Sequence, residues 1–291
     1  MTAHENRQRL RTALASTDVT VAPGVFDGIS AHLVRLLEFA AAYMTGAGVA
    51  ASGFGLPDIG LVTQTEMVER ARMLVSALGD VPLIADADTG YGAELSVIRT
   101  VREFESAGVA AIQLEDQAFP KKCGHLPDKE LISTDAFVKK LEAALDARTD
   151  SDLILIARTD ARGPLGIAAA IDRANAYAAA GADMIFVEAP QGADEVERIA
   201  NEVSAPLLIN LVIGGLTPIE SSTRLTDLGY AVAIHPSLPL GAAAFAMLTG
   251  LAGLAGRDPA PLLPSTPAEF FDLVGLAEWS ELAELYRTKG E

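Results

Sequence analysis

Five consecutive residues, Lys121, Lys122, Cys123, Gly124 and His125, set the only thiol of the chain beside two cations and an imidazole. A thiol with positive charge next to it can be held partly as thiolate and can exchange a proton near neutral pH. Just upstream, Glu115 and Asp116 end an apolar run, and Asp86 and Asp88 end another. Residues two apart in a strand face the same side, so Asp86 and Asp88 are expected to point together. Two such carboxylates repel unless a cation lies between them. Hard oxygen ligands favour Mg²⁺ or Mn²⁺ over zinc, and Glu115 is placed as a third ligand, directly or through water. The competing reading makes the aspartates solvated or helix-capping and pairs Glu115 with Lys121 or Lys122.

Other run ends carry polar groups. Arg158 finishes an apolar stretch, where its planar fork would meet either a substrate carboxylate or a neighbouring acid. Glu188 and Asn210 finish two more, and would bind a polar substrate or each other. Thr45, Gly46 and Ala47 follow a fourth. Small residues there let backbone N–H groups approach an anion, or simply make a tight turn. Tyr43 and Asp58 are further candidates, Asp58 being equally suited to capping a helix. His4 is expected to be disordered, His32 to lie on a helix surface, and His235 stays open as a site or core residue.

The elements that must position these groups repeat. Residues 19–25, 41–48, 81–88, 110–116, 153–160, 184–190, 206–212 and 231–237 are short, nearly continuous apolar runs, as in parallel strands buried on both faces. Helical stripes lie between them, such as Val97, Ile98, Val101 and Phe104. Gly108, Gly181 and Gly229 fall where a helix should stop. Eight strands, most followed by a helix, predict a (β/α)8 TIM barrel. The rival, a doubly wound sheet, would more often carry a Gly-rich turn after its first strand, and Pro23-Gly24-Val25 is not one. Residues 1–256 read as the barrel with a polar N-terminal helix over 1–17, and 231–256 as a strand plus a buried helix. Residues 257–291 read as a Pro-rich linker and helical tail. Its apolar side chains, Phe270, Phe271, Trp279 and Leu282 among them, need a surface on this barrel or on a neighbouring subunit.

Bulk properties narrow the partners. A formal charge of −17 over 291 residues argues against nucleic acid and anionic membranes. One cysteine forbids an intramolecular disulfide and fits the reducing cytoplasm. The N-terminus lacks the apolar core of a signal peptide, and no membrane span is expected.

The stretches DADTGYG at 86–92, LEDQ at 114–117, KKCGH at 121–125, ARTD at 157–160 and VEAP at 187–190 together resemble the isocitrate lyase/phosphoenolpyruvate mutase superfamily. MTGAG at 44–48 and GLPDIG at 55–60 are similar to its methylisocitrate lyase, dimethylmalate lyase and carboxyphosphonoenolpyruvate mutase members. The resemblance implies a barrel whose C-terminal helix is exchanged between subunits of a dimer of dimers. It also implies Mg²⁺ held by Asp86, Asp88 and Glu115, and a small carboxylate substrate. The implied reaction is lyase cleavage of a 2-hydroxy di- or tricarboxylate to an α-keto acid and a second acid. Cys123 would be the general acid, tuned by Lys122 and His125, and either Tyr43 or Asp58 would move the hydroxyl proton. Gly46, Ala47 and Arg158 would fix a carboxylate. Alternatives are phosphonomutase chemistry and a non-catalytic anion binder. The chain departs from the family at Ile213, where a Glu is common, and at Gly241, where methylisocitrate lyases have an arginine. Both departures favour a smaller or less acidic substrate.

Overall fold

The computed structural model describes residues 2–286. Met1 and residues 287–291, the outer ends of the two expected segments, lie outside the described residues. Eight parallel strands close into a barrel in chain order: β1 Thr20–Val25, β2 Ala42–Met44, β3 Leu83–Asp86, β4 Ala111–Glu115, β5 Ile154–Thr159, β6 Met184–Val187, β7 Leu207–Asn210 and β8 Tyr230–His235, which pairs with β1. The helices are α1 Ala3–Leu14, α2 Gly28–Leu36, the short α3 Gly46–Val49, α4 Gln64–Leu78, α5 Glu94–Ala107, α6 Thr134–Ala147, the short α7 Arg162–Leu165, α8 Ile167–Ala179, α9 Ala193–Glu202, α10 Ser222–Asp227, α11 Leu238–Leu254, α12 Pro267–Asp272 and α13 Leu276–Tyr286.

The apolar runs are continuous because both strand faces are covered. In β5, Ile154 and Ile156 join Met184, Phe186 and Leu208 inside the barrel, while Leu155 and Ala157 pack outward among the helices. The stripe of α5 buries Val97, Val101 and Phe104. Gly108 follows it at φ 93°, and its N–H closes the last turn onto Phe104 and Glu105 carbonyls. A side chain there would be strained, so glycine sets the stop.

Two expectations are corrected. The N-terminal helix is polar, yet it is fastened to the floor of the barrel. Leu10 of α1 is fully buried with the inward-facing residues of all eight strands. Arg7, only 5% exposed, donates to the carbonyls of Val109 (3.1 Å) and Glu105 (2.7 Å) and to Asp150 Oδ2 (2.8 Å). His4, expected to be disordered, lies 3.0 Å from Asp150. One leucine suffices to plug the floor, so no apolar stripe announces the contact.

The second correction concerns α11. It is apolar almost throughout, but buries only Leu240 and Ala252, leaving Phe245, Met247, Leu251 and Leu254 exposed. A helix apolar on all sides has no face suited to water, so one barrel covers only part of it. The tail divides. Its first part folds back over the strand ends, burying Phe271. The chain passes so close to Gly214 that a Cβ there would stand 2.1 Å from the Ser265 carbonyl oxygen. In contrast, α13 buries none of its residues.

Candidate active site

A cavity of about 420 Å³ opens at the C-terminal ends of the strands. Tyr43, Thr45, Ala47, Asp58, Asp86, Cys123, Gly124, His125, Arg158, Glu188 and Asn210 all line it, so it gathers most of the expected site residues from β2 to β7.

Asp86 ends β3. Its carboxylate accepts the Gly46 N–H (3.2 Å), the Asp88 N–H (3.0 Å) and Gln113 Nε2 (3.2 Å). Gly46 therefore spends its N–H on Asp86, not on a substrate carboxylate as expected. Thr45 accepts the Gly48 N–H and starts the α3 turn. Asp88 lies beyond the strand at φ 48°. Its nearness to Asp86 comes from this left-handed turn, which replaces the expected strand alternation. A Cβ on Gly46 would stand 2.7 Å from Asp86 Oδ2 and 3.5 Å from Asp88 Oδ1. Glu115 ends β4 with Oε2 3.3 Å from Arg158 Nη1, while Oε1 is buried without a hydrogen-bond partner.

Lys121, expected beside the thiol or paired with Glu115, belongs to this cluster. Its ammonium is 2.7 Å from Asp88 Oδ1 and donates to Asp58 Oδ1. Burial alone would lower its pKa, but Asp58, Asp88, Glu115 and Asp86 hold it well above the usual lysine value. Burial raises Asp86, lifts Asp88 to about 6 and pushes Glu115 well above the ordinary carboxylate range. Lys122, expected to tune the thiol, turns away. Its ammonium is exposed and donates to the Asp128 carbonyl (2.9 Å), while its backbone is held by the Gln117 amide.

The Cys123 loop is packed down on the strand ends. Cys123 N–H donates to the Asp58 carbonyl (3.0 Å). A Cβ on Gly124 would meet Arg158 Nη2 at 2.5 Å and Glu188 Cδ at 2.6 Å, so only glycine allows this approach. Lys129 Nζ bridges the Gly124 carbonyl (2.5 Å) and Asp160 Oδ1 (2.8 Å). No local pattern singles Lys129 out. Burial, with Asp58 nearby, pushes the Cys123 thiol up to about 12. The expected partial thiolate is thus replaced by a protonated thiol, because burial outweighs the lowering by the His125 N–H and Lys121.

His125 Nδ1 accepts the Leu216 N–H (3.1 Å), which leaves the neutral ring's proton on Nε2, 3.4 Å from Glu188 Oε1. Burial lowers its pKa, so it is neutral at pH 7. Asn210 Nδ2 donates to both Glu188 oxygens (3.3 and 3.2 Å). Arg158 gives its fork to Asp160, through Nε (2.9 Å) and Nη2 (3.0 Å). Of the two partners open to the fork, a substrate carboxylate or a neighbouring acid, the strand-end acid fills it. Burial alone would raise Asp160, but Arg158 and Lys129 hold it well below the ordinary range. Tyr43 donates to Gln113 Oε1 (2.8 Å), and burial beside Asp86 keeps its hydroxyl protonated.

Six buried carboxyl groups, on Asp58, Asp86, Asp88, Glu115, Asp160 and Glu188, outnumber the four buried cations near them, on Lys121, Lys129, Lys140 and Arg158. With the partnerless Glu115 oxygen, this deficit suits a hard divalent cation. Asp86, Asp88 and Glu115 do not bring one oxygen each within 4.8 Å of one another, so such an ion would take part of its shell from water or substrate. Among the described residues, His4, Asp150 and Asp152 do meet that spacing. They lie at the opposite end of the barrel, before β5, where Arg7 and Arg11 already engage the aspartates. That arrangement serves to dock α1.

Comparison with known proteins agrees with this geometry. A family model described as phosphoenolpyruvate phosphomutase matches residues 10–255. The chain is 45% identical over 283 residues to 2,3-dimethylmalate lyase of Eubacterium barkeri, covering 96% of this chain and 98% of that protein. It is 40% identical to 2-methylisocitrate lyase of Aeropyrum pernix, covering 94% and 88%. A solved oxaloacetate acetylhydrolase superposes with TM-score 0.84 at 34% identity, covering 99% of both chains. Among the described residues no helix is long and apolar enough to cross a membrane. The chain belongs to the isocitrate lyase/phosphoenolpyruvate mutase superfamily, close to its methylisocitrate and dimethylmalate lyases, and is an enzyme of the carbon–carbon lyase type.

Proposed function

We propose that this enzyme cleaves a 2-hydroxy diacid between C2 and C3, releasing an α-keto acid and a second carboxylic acid, with Cys123 as the general acid. The observation that carries the reading is the place of the Cys123 loop, which Gly124 packs against Arg158 and Glu188 in the cavity that Asp58 and Asp86 also line. The hydroxyl proton passes to Asp58, a carboxylate paired with Lys121; Tyr43 remains a hydrogen-bond donor. The C2–C3 bond pair stays on C3, where the Cys123 thiol delivers its proton. His125, Asn210 and Glu188 form a neutral-donor and carboxylate chain that holds the thiol loop in place. Arg158 lines the cavity and offsets part of its negative charge.

Asp86, Asp88 and Glu115 would hold Mg²⁺, or Mn²⁺. Bound there, the ion would supply Lewis-acid polarisation of the substrate's hydroxyl and carboxylate oxygens. Exposed apolar residues on α11 and α13 support a homo-oligomer in which α13 packs on another subunit.

Screening 2-hydroxy diacids and oxaloacetate for keto-acid or acetate release, with and without Mg²⁺, tests the activity. Cys123→Ser should cut turnover by orders of magnitude with α-keto acid binding nearly intact; equal loss of both would sink the acid role. A relative at 38% identity is the carboxyvinyl-carboxyphosphonate phosphorylmutase of Arabidopsis thaliana. Phosphorus NMR on phosphonates would expose that chemistry, which does not call for a thiol proton.

A further inference from the structure

The cavity has two chemically different ends. Every ionisable side chain that lines it, including Asp58, Asp86, Arg158 and Glu188, sits at the strand ends around Cys123. The segment after β7, α11 and α12 supply Val212, Ile213, Leu240, Phe245, Phe270 and Phe271 with a few hydroxyls among them; none of these is ionisable, and the one ionisable ring packed against this segment, His125, is neutral and holds the Leu216 N–H. Together these three parts of the chain wall the other end of the cavity, α12 being folded back from the tail. Ile213 remains 65% exposed although the Cys123 loop is packed down. Apolar surface facing an open cavity gains when hydrocarbon displaces water from it. A carboxylate in the same place would lose its hydration and find no cation.

We propose that this end is a subsite for an alkyl substituent on C3 of the substrate, longer than a methyl group. The inference rests on the lyase reading above and names its substrate class: 3-alkyl-2-hydroxy diacids. Cleavage breaks C2–C3, and the hydroxyl proton leaves to Asp58. The bond pair stays on C3 and takes the thiol proton of Cys123, which solvent then replaces. The products are an α-keto acid and R–CH₂–COO⁻, an alkyl monocarboxylate in place of a diacid. Atoms and charge balance without an oxidant or co-reactant. Gly241 marks the boundary of the subsite. It lies in the first turns of α11, lines the cavity, and a Cβ there would meet nothing within 4 Å.

The test uses the full chain with Mg²⁺ and 2-methylmalates carrying hydrogen, methyl, ethyl, propyl, butyl or carboxymethyl on C3, read by pyruvate release. Beyond methyl, kcat/KM should rise about threefold to fourfold per methylene until the wall is covered. The carboxymethyl compound should fall at least tenfold below the propyl one. A maximum at methyl, or a preference for carboxymethyl, overturns the subsite; so would a wall already filled by another subunit's tail, since the series would then be flat. Gly241→Arg puts a cation in open space and should reverse the order of propyl and carboxymethyl; an unchanged ratio counts against the proposal. Calorimetric titration of 2-alkylsuccinates, which lack the hydroxyl and cannot be cleaved, reads the subsite without turnover. Rising affinity along that series with no cleavage of any malate would sink the lyase reading and leave the subsite standing. Flat affinity with turnover would do the reverse.

Discussion

Lys129 and Asp160 form a buried ion pair of 2.8 Å that joins the thiol loop to the end of β5. The same ammonium holds the Gly124 carbonyl, and the same carboxylate grips Arg158. Loop position and arginine orientation are therefore set by one contact. Lys129→Met should lower kcat about 100-fold, the size expected when a reacting group is misplaced by an ångström or so. Lys129→Arg should recover part of it. Steady-state kinetics, with iodoacetamide labelling of Cys123 as a readout of loop opening, would check this; unchanged kcat and labelling would refute it.

The thiol gives a pH prediction. Because burial raises Cys123 to about 12, its acid form persists across the neutral and mildly alkaline range. No alkaline loss of turnover from Cys123 is expected until the pH nears that value. Alkylation should be much slower at pH 7.5 than for a free cysteine, whose pKa is about 8.5, and should climb steadily with pH. Rapid labelling of the folded enzyme at pH 7 would mean the loop stands open in solution.

Chelation should remove activity and leave the fold intact. The barrel closes through its own strand ladder, while the buried acids of its mouth outnumber the buried cations. EDTA followed by Mg²⁺ should abolish and restore turnover, with circular dichroism unchanged. Glu115→Gln should raise the Mg²⁺ concentration needed for half-maximal rate at least tenfold. Full activity in EDTA would remove the basis of the metal assignment.

At the barrel floor, Arg7→Met should cost about 3–5 kcal/mol in urea unfolding, because it leaves Asp150 and two carbonyls without their buried cation. Burial alone would raise Asp150, but Arg7, the Asp152 N–H and His4 hold it well below the ordinary range. A depressed folded-state pKa stabilises fully above the unfolded value, about 3.9, and the contribution fades as pH falls below it. Wild type should therefore withstand acid better than Arg7→Met, with the difference shrinking below about pH 4. Equal urea midpoints at pH 7 would contradict the buried contact.

The barrel was legible because period, length and punctuation agreed: eight apolar runs, helical stripes between them, and glycines at φ 93°, 101° and 80° after three helices. Asp86, Asp88, Glu115 and Glu188 were legible as neighbours at the barrel mouth because each closes an apolar run; Asp58, in a loop, carried no such mark. What could not be read was direction. Lys121 and Lys122 are adjacent and chemically alike, yet one enters the acid cluster and the other faces water. Asp86 and Asp88 meet through a left-handed turn that the strand rule does not anticipate. Lys129 and Leu10 act through partners 31 and more than 100 residues away, which no local pattern encodes.

The docking of α1 bears on how the chain is made. Arg7 reaches carbonyls and a carboxylate 98 to 143 positions further on, and Leu10 sits among strands that include the last one. Helix α1 therefore cannot complete its contacts until β8 has been made, which ranks them among the most non-local in the fold.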